Sequence, residues 1–333
     1  MTSIRTNISA TAALATLRTI DGQMDRSQTE VSSGLRVNIA ADNAAYWSIA
    51  TTMRSDSKAL SAARDALGLG AAMVDVTYEG MSSVVNLMSE FKAKLVLAKE
   101  PGADRDKINT ELSQLQSQMR SVAYSASFNG QNWLAMTDDN WTGFVKDRTV
   151  PGYIVRNGDD FSVGTVKVLD AIDANLGGTA QMYPLVDDTG GAATGGMGIL
   201  TNVGYSQKLA TGTNWVILHT LGNPDPTLGT EIKVSADTSS DDIDDMISVT
   251  EAALSDVVKW TAKLGSAETR ISMQQDFASK LGDAIDTGVG RLVDADMEEV
   301  SSRSKALQTQ QQLAIQSLQI ANSEPQTILS LFQ

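Results

Sequence analysis

The sequence predicts a mainly α protein: long helical arms at the two ends, laid antiparallel as a coiled-coil rod, with a small β-rich outer domain in mid-chain. Three observations carry this reading. Small and apolar residues recur at alternating steps of three and four over both ends of the 333-residue chain. Aromatic residues make up 5% of the chain while 42% is hydrophobic, a balance that favours helices packed through aliphatic side chains over a β-sandwich. Residues 137–250 hold 15 of the 26 glycines and 4 of the 6 prolines, which marks a compositional island.

In the N-terminal arm, Ala10, Leu14, Leu17, Asp21, Met24, Gln28 and Val31 keep heptad spacing, with two polar residues in the seam. Gly34 interrupts it. Met81, Val84, Met88, Phe91, Leu95 and Ala98 resume the pattern, and after the turn signal EPGAD (100–104) a shorter helix carries Ile108, Leu112, Leu115, Met119 and Val122. The island reads as short strands between turns over 151–170 and 213–235, with His219 in a strand and GGAATGGMG (190–198) as a surface loop. Ser239, Ser240 and Asp241 are N-cap candidates for the returning helix.

The C-terminal arm runs Thr250, Ala253, Val257, Trp260, Leu264, Ala267, Ile271, Gln274, Ala278, Leu281 and Ile285. A second register follows through Val293, Met297, Val300, Ser304, Leu307, Gln311, Ala314, Leu318 and Ala321, with the break expected at Gly288 and Gly290. Two sets of helical seams need partners, and the economical partner of each arm is the other. At ~1.5 Å per residue, a continuous helix over 250–321 would span roughly 100 Å.

Composition removes most chemistry. The chain carries 40 acidic and 26 basic residues, a formal net charge of −14, so a phosphate-tracking nucleic-acid binder is not expected. No Cys and a single His, His219, exclude thiolate chemistry and paired-His metal sites and leave a Ser-His-Asp triad improbable. The segment MTSIRTNISATAALATL does not read as a secretory signal, and no window approaches a membrane span. GGAATGGMG lacks the Lys of a phosphate loop, and DTSSDDIDDM (237–246) lacks the glycine and distal glutamate of a calcium loop. The glycines of GLGAAM (68–73) are read as allowing close helix packing, and Ser55–Lys58 and Ser302–Lys305 as chance Ser-x-x-Lys matches on polar faces. No enzyme activity, cofactor, metal, nucleic acid or membrane is expected.

The seams divide by apolar content. Those of 44–125 and 250–287 are expected to pack on each other, with Met88, Phe91, Leu95, Leu112, Leu115, Val257, Trp260, Leu264 and Ile271 as the core of the rod. Those of 1–33 and 293–333 use Ala, Ser, Thr, Asn and Gln at many positions and are too weakly apolar to stand alone. Ala10, Leu14, Leu17, Met24, Val31, Val293, Met297, Val300, Leu307, Ala314, Leu318 and Ala321 are therefore expected as an assembly seam that orders against neighbouring copies.

Three stretches carry a resemblance. SSGLRVNIAADNAAYWSIA (32–50), SFNGQNWLA (127–135) and GVGRLVDADMEEVSSRSKALQTQQQLAIQSLQIANSEPQTILSLF (288–332) resemble bacterial flagellins, in a spelling most like those of alphaproteobacteria such as rhizobia. The likeness covers roughly 1–136 and 250–333. It implies a structural subunit that polymerises into the helical flagellar filament for swimming, exported through the flagellar secretion apparatus without a cleavable signal peptide. The implied division is 1–38 as an inner-core helix, 39–145 and 239–290 as outer-tube domain, 146–238 as a surface-exposed variable domain and 291–333 as the second inner-core helix.

The implied partners are further copies and sister flagellins, an export chaperone at the C-terminal helix, and the filament cap and hook–filament junction proteins. The resemblance also places host-receptor-equivalent positions at Asp42, Asn43, Glu90 and Glu111. Asn43, Tyr46 and Trp47 depart from the peptide that plant receptors read, and Glu90 stands where a basic residue is usual for the animal receptor, so weak recognition is expected, though not a total loss because Glu111 matches the usual acidic position. The alternatives are a hook–filament junction protein, or a secreted adhesin or enzyme with its activity in 137–250.

Overall fold

The structure is a computed structural model; it describes residues 7–136, 148–157, 160–169, 184–188, 198–202, 205, 213–219 and 229–330. Five helices dominate it: α1 (Ile8–Ser33), α2 (Ala44–Ala98), α3 (Arg105–Ser125), α4 (Ser240–Val293) and α5 (Met297–Ser330). The strands are β1 (Ser127–Phe128), β2 (Gln131–Asn132), β3 (Ala135–Met136), β4 (Arg148–Asn157), β5 (Asp160–Leu169), β6 (Val186–Asp187), β7 (Trp215–Val216) and β8 (Thr230–Glu231). The chain forms two compact units, Met1–Ala59 with Lys280–Gln333, and Leu60–Ser279.

In the larger unit, α2 contributes Leu67, Val74, Met81, Val84, Met88, Phe91 and Leu95 to one core, and α4 contributes Val257, Trp260, Leu264 and Ile271. The two helices run antiparallel. Lys92 pairs with Glu251, and Lys99 reaches Asp244 at 2.6 Å, so seven residues forward on α2 are seven back on α4. These ion pairs are exposed and add little energy; they report the register that the buried stripe sets. Lys263 lies 4.1 Å from the Trp260 ring and caps the edge of the seam.

The third helix lays Ile108, Leu112, Leu115, Met119 and Ala123 onto the same core. Asp104 caps it, accepting from the Lys107 amide at 3.2 Å. Arg105 then ties three ends together, donating to Ala98 O at 3.2 Å and Thr238 O at 2.7 Å. It satisfies a carbonyl at the C-terminus of α2 and the chain entering α4. Ser239 and Asp242 cap α4 reciprocally: the Ser239 hydroxyl accepts from the Asp242 amide at 3.0 Å, and the Asp242 carboxylate accepts from the Ser239 amide at 3.3 Å.

Among the described residues the strands pair into four two-stranded sheets. The β1–β2 hairpin turns at Asn129 (φ 50°) and Gly130 (φ 76°), the left-handed pair that a two-residue turn requires. Strands β4 and β5 form a ten-residue antiparallel ribbon whose Val150, Val166 and Val168 are buried in the core. Gly70 of α2 makes room for it, since a Cβ there would fall 2.0 Å from Val150 Cγ1. Arg148, at the start of β4, is buried with its guanidinium 5.9 Å from the Trp133 ring, and burial pulls its pKa down to about 10. The Gln116 amide, itself buried, donates to Ile217 O at 2.9 Å and Ile232 O at 3.0 Å. It pins the segments around β7 and β8 to α3.

Three expectations are corrected. His219 is not in a strand: β7 ends at Val216, because the next backbone groups bond elsewhere, Ile217 O to Gln116, Leu218 N to Leu200 O and His219 O to Arg120. Of the two glycines of GLGAAM, Gly70 allows a close approach to the β4–β5 ribbon and not to a helix, and Gly68 has nothing within 4 Å of where a Cβ would stand. The second helical break lies at Asp294–Asp296, beyond Gly288 and Gly290, because Val289 and Val293 on either side of Gly290 are buried in one cluster and hold the helix through it. The loop 190–198 lies outside the described residues except for Gly198.

Gln116→Leu strands two buried carbonyls without a donor. Urea unfolding should show a loss of about 1–3 kcal/mol, with the far-UV helical signal of the folded protein unchanged.

Candidate assembly interface

The smaller unit is built from α1, the connector to α2, the start of α2 up to Ala59, the end of α4 from Lys280, and α5. Gly34, at φ 71°, closes α1 in the left-handed conformation and donates its amide to Glu30 O. The connector then folds on Asp42, whose carboxylate accepts from the Asn38 and Ile39 amides, both at 3.0 Å. Those backbone donors hold the Asp42 carboxyl below its ordinary value of 3.8. Asn43 caps α2, its side-chain oxygen accepting from the Tyr46 amide at 3.1 Å.

A small apolar cluster of Val37, Ala50, Val289 and Val293 lies behind the connector. Val293 O accepts from the Arg36 amide at 2.7 Å and the Val37 amide at 3.2 Å. The Arg36 guanidinium donates to Leu292 O at 3.0 Å and lies 5.9 Å from the Tyr46 ring. Ile39, Tyr46, Trp47 and Ile49 stay exposed beside it.

Helices α1 and α5 pack antiparallel. Asn7 donates to Ala321 O at 2.7 Å, Gln311 to Asp21 Oδ1 at 2.8 Å and Ser27 to Val300 O at 3.5 Å, and Arg303 lies 3.5 Å from Glu30. Polar side chains thus occupy places that a globular seam fills with Leu. Within this pair only Ile20, Met24 and Ser27 of the 26 residues of α1 are buried.

The residues expected as an assembly seam fall into three groups. Met24, Val300 and Leu307 are buried between α1 and α5, and Val293 is buried in the connector cluster. Ala10, Leu17, Ala314, Leu318 and Ala321 are half-buried. Leu14 (38%), Val31 (41%) and Met297 (41%) are exposed. The inward row of α1 runs Ala10, Ala13, Leu17, Ile20, Met24 and Ser27, one position away from the Leu14–Asp21–Gln28 row at every second step. Sequence reasoning missed Ile20, although its larger apolar side chain than the neighbouring Asp21 was the available signal. Ile8, Leu313, Ile315 and Ile320 are exposed as well.

The nine residues expected in the rod core, Met88, Phe91, Leu95, Leu112, Leu115, Val257, Trp260, Leu264 and Ile271, all lie in the single core of the larger unit. Glu90 is exposed on α2. Glu111 pairs with Lys94 at 2.6 Å, and that hydrogen bond raises the Lys94 pKa above its ordinary value. Among the described residues no group of three His, Cys, Asp or Glu side chains could hold a metal ion, and no described helix is long and apolar enough to cross a membrane. What the surface offers is apolar side chains at helical spacing, a means of packing.

Because the Asp42 carboxyl is held low, its contribution to stability is complete above pH 3.8 and is lost as pH falls through its folded value. Asp42→Ala should speed hydrogen exchange at the Asn38 and Ile39 amides at neutral pH. Unchanged exchange there would mean that the carboxylate does not hold the turn.

Residues 4–139 match the bacterial flagellin N-terminal helical region, and residues 247–332 match the bacterial flagellin C-terminal helical region. Flagellin C of Rhizobium meliloti (strain 1021) is 46% identical over 343 residues, and Flagellin A of the same strain is 43% identical over 396 residues. Flagellin of Brucella melitensis biotype 1 is 36% identical over 336 residues. In all three, 100% of this chain and 100% of the relative are covered. The chain therefore belongs to the bacterial flagellin family, the non-enzymatic structural subunits that polymerise into the extracellular flagellar filament.

Proposed function

We propose that α1 and α5 form the assembly seam of the filament and become fully ordered on incorporation of the subunit. The observation that carries this is the imbalance within the pair: three buried residues on α1, against Ile8, Leu14, Val31, Leu313, Ile315 and Ile320 left in solvent. The inner face, with Met24, Val300 and Leu307, joins the two helices of one chain. The exposed residues take their partners from neighbouring copies. Head-to-tail contacts that do not close on themselves extend into a helical polymer, so many weak repeated contacts sum to a stable tube.

The remaining parts follow from family membership and charge. Residues 39–145 and 239–290 serve as the outer-tube domain and 1–38 and 291–333 as the inner core. Residues 146–238 face outward, and the net charge of −10 on 137–250 keeps neighbouring filaments apart. The subunit travels through the flagellar secretion apparatus with an export chaperone on 293–333, and meets junction and cap proteins at the ends of the filament. Sister flagellins co-assemble on the same seams. Glu90 on α2 and Asn43 at the cap of α2, with Tyr46 and Trp47 beside it, reduce recognition by animal and plant receptors, and Glu111 keeps part of it.

Heat-dissociated subunits should repolymerise on preformed seeds, as seen by negative-stain microscopy, and a chain lacking residues 293–333 should not. Ile320→Asp should leave the Met24, Val300 and Leu307 face intact and raise the critical concentration by at least about tenfold, since burying one such side chain is worth roughly 1.5–3 kcal/mol. Normal growth of both variants would sink the terminal-seam reading.

A further inference from the structure

The two asparagines of the β1–β2 hairpin are used in opposite ways. Asn132 is locked: its amide donates to Ala123 O at 2.8 Å and Tyr124 O at 3.1 Å, and its oxygen accepts from the Leu134 amide at 2.7 Å and the Ala135 amide at 3.0 Å. It thus satisfies two carbonyls in the last turn of α3 and leads the chain into β3. Asn129 stands at the exposed tip, the only non-glycine residue with positive φ among the described residues, and among them its side chain has no hydrogen-bond partner. Gly130 follows it. The ladder pairs Phe128 with Gln131 and leaves both tip residues outside, and nothing stands within 4 Å of where a Gly130 Cβ would be.

We propose that Asn129 is a deamidation site, at which backbone cyclisation followed by water gives an isoaspartate that opens the hairpin and frees the end of α3. The Gly130 nitrogen attacks the Asn129 side-chain carbonyl carbon, a C–N bond forms, and the side-chain nitrogen leaves as ammonia with the Gly130 amide proton. Water then opens the resulting succinimide ring. Breaking the new bond gives aspartate. Breaking the old peptide bond gives isoaspartate, with the main chain now running through the former side-chain carbonyl. One water enters and one ammonia leaves, and no atom is oxidised or reduced.

A glycine after the asparagine favours the attack, because no Cβ crowds the nitrogen. The isoaspartate adds one carbon to a main chain whose two-residue turn needs positive φ at both positions. The Phe128–Gln131 and Ser127–Asn132 pairs then lose their register, and Asn132 is carried away from Ala123 and Tyr124. Plain aspartate keeps the chain length and tolerates the left-handed conformation, so it leaves the turn in place. The consequence stays inside the larger unit and depends on no neighbouring copy.

Full-length subunits aged in mildly alkaline buffer test both halves, with tryptic peptides followed by mass spectrometry and isoaspartate marked by an isoaspartyl methyltransferase with a labelled methyl donor. Asn157–Gly158, the other Asn-Gly pair, falls on a different tryptic peptide. Isoaspartate should accumulate at Asn129, and in the aged fraction the Leu134 and Ala135 amides should exchange hydrogen roughly tenfold faster. Asn129→Gly, which suits positive φ and removes the reacting amide, should age without that change. Asn129→Asp, measured fresh, should exchange as the unaged protein does. Absence of isoaspartate at Asn129 in the aged folded subunit would overturn the site. Isoaspartate there with unchanged exchange, or faster exchange in aged Asn129→Gly or fresh Asn129→Asp, would overturn its effect on the hairpin.

Discussion

The antiparallel seam between α2 and α4 is the contact on which the larger unit depends. Its side chains meet at alternating steps of three and four, so each buried Leu, Met or Phe is flanked by the next one a turn away and water is excluded along the row. The remaining elements attach to this surface. The third helix adds a second apolar face, the β4–β5 ribbon lies against the gap at Gly70, and Gln116 gathers two carbonyls that would otherwise be stranded. A methionine-rich core suits the arrangement, because unbranched thioethers fill irregular space where a helix pair meets a ribbon.

The smaller unit follows a different rule. Its apolar cluster is small, and the backbone bonds from Arg36 and Val37 to Val293 O do much of the joining. Along α1 and α5, Asn7, Asp21, Ser27, Gln311 and Arg303 supply directional contacts in place of bulk. Hydrogen bonds at such positions specify register while contributing only about 0.5–1.5 kcal/mol each. A pair held this way is well defined but weakly held.

The rows of α2 and α4 were legible where one residue was clearly more apolar than its neighbours, as at Phe91, Trp260, Leu264 and Ile271. On α5 the inward row passes through Ala314 and Ala321 beside exposed Leu313, Ile315 and Ile320, so spacing and not bulk marked it. On α1 the spacing was carried through Leu14, Asp21 and Gln28, whereas Ala13, Ile20 and Ser27 face inward one position away, and a helix turns only about 100° between neighbours. The long ribbon was legible from its alternating Val and Ile, and strand structure was legible over 213–235, but not that β7 and β8 there are two residues each. Their limits come from where Gln116, Leu200 and Arg120 capture the backbone, and those partners are far away in sequence.

By itself the sequence determined the helical class, the return of one arm on the other, the lack of thiol chemistry and the family, because periodicity, composition and spelled motifs are local properties of the chain. Only the tertiary structure decided which row of α1 faces α5, where α4 ends, and that Gly70 serves a ribbon. Each of these depends on what lies across a contact, and a residue's neighbours across a contact are set by chain segments up to 314 positions away.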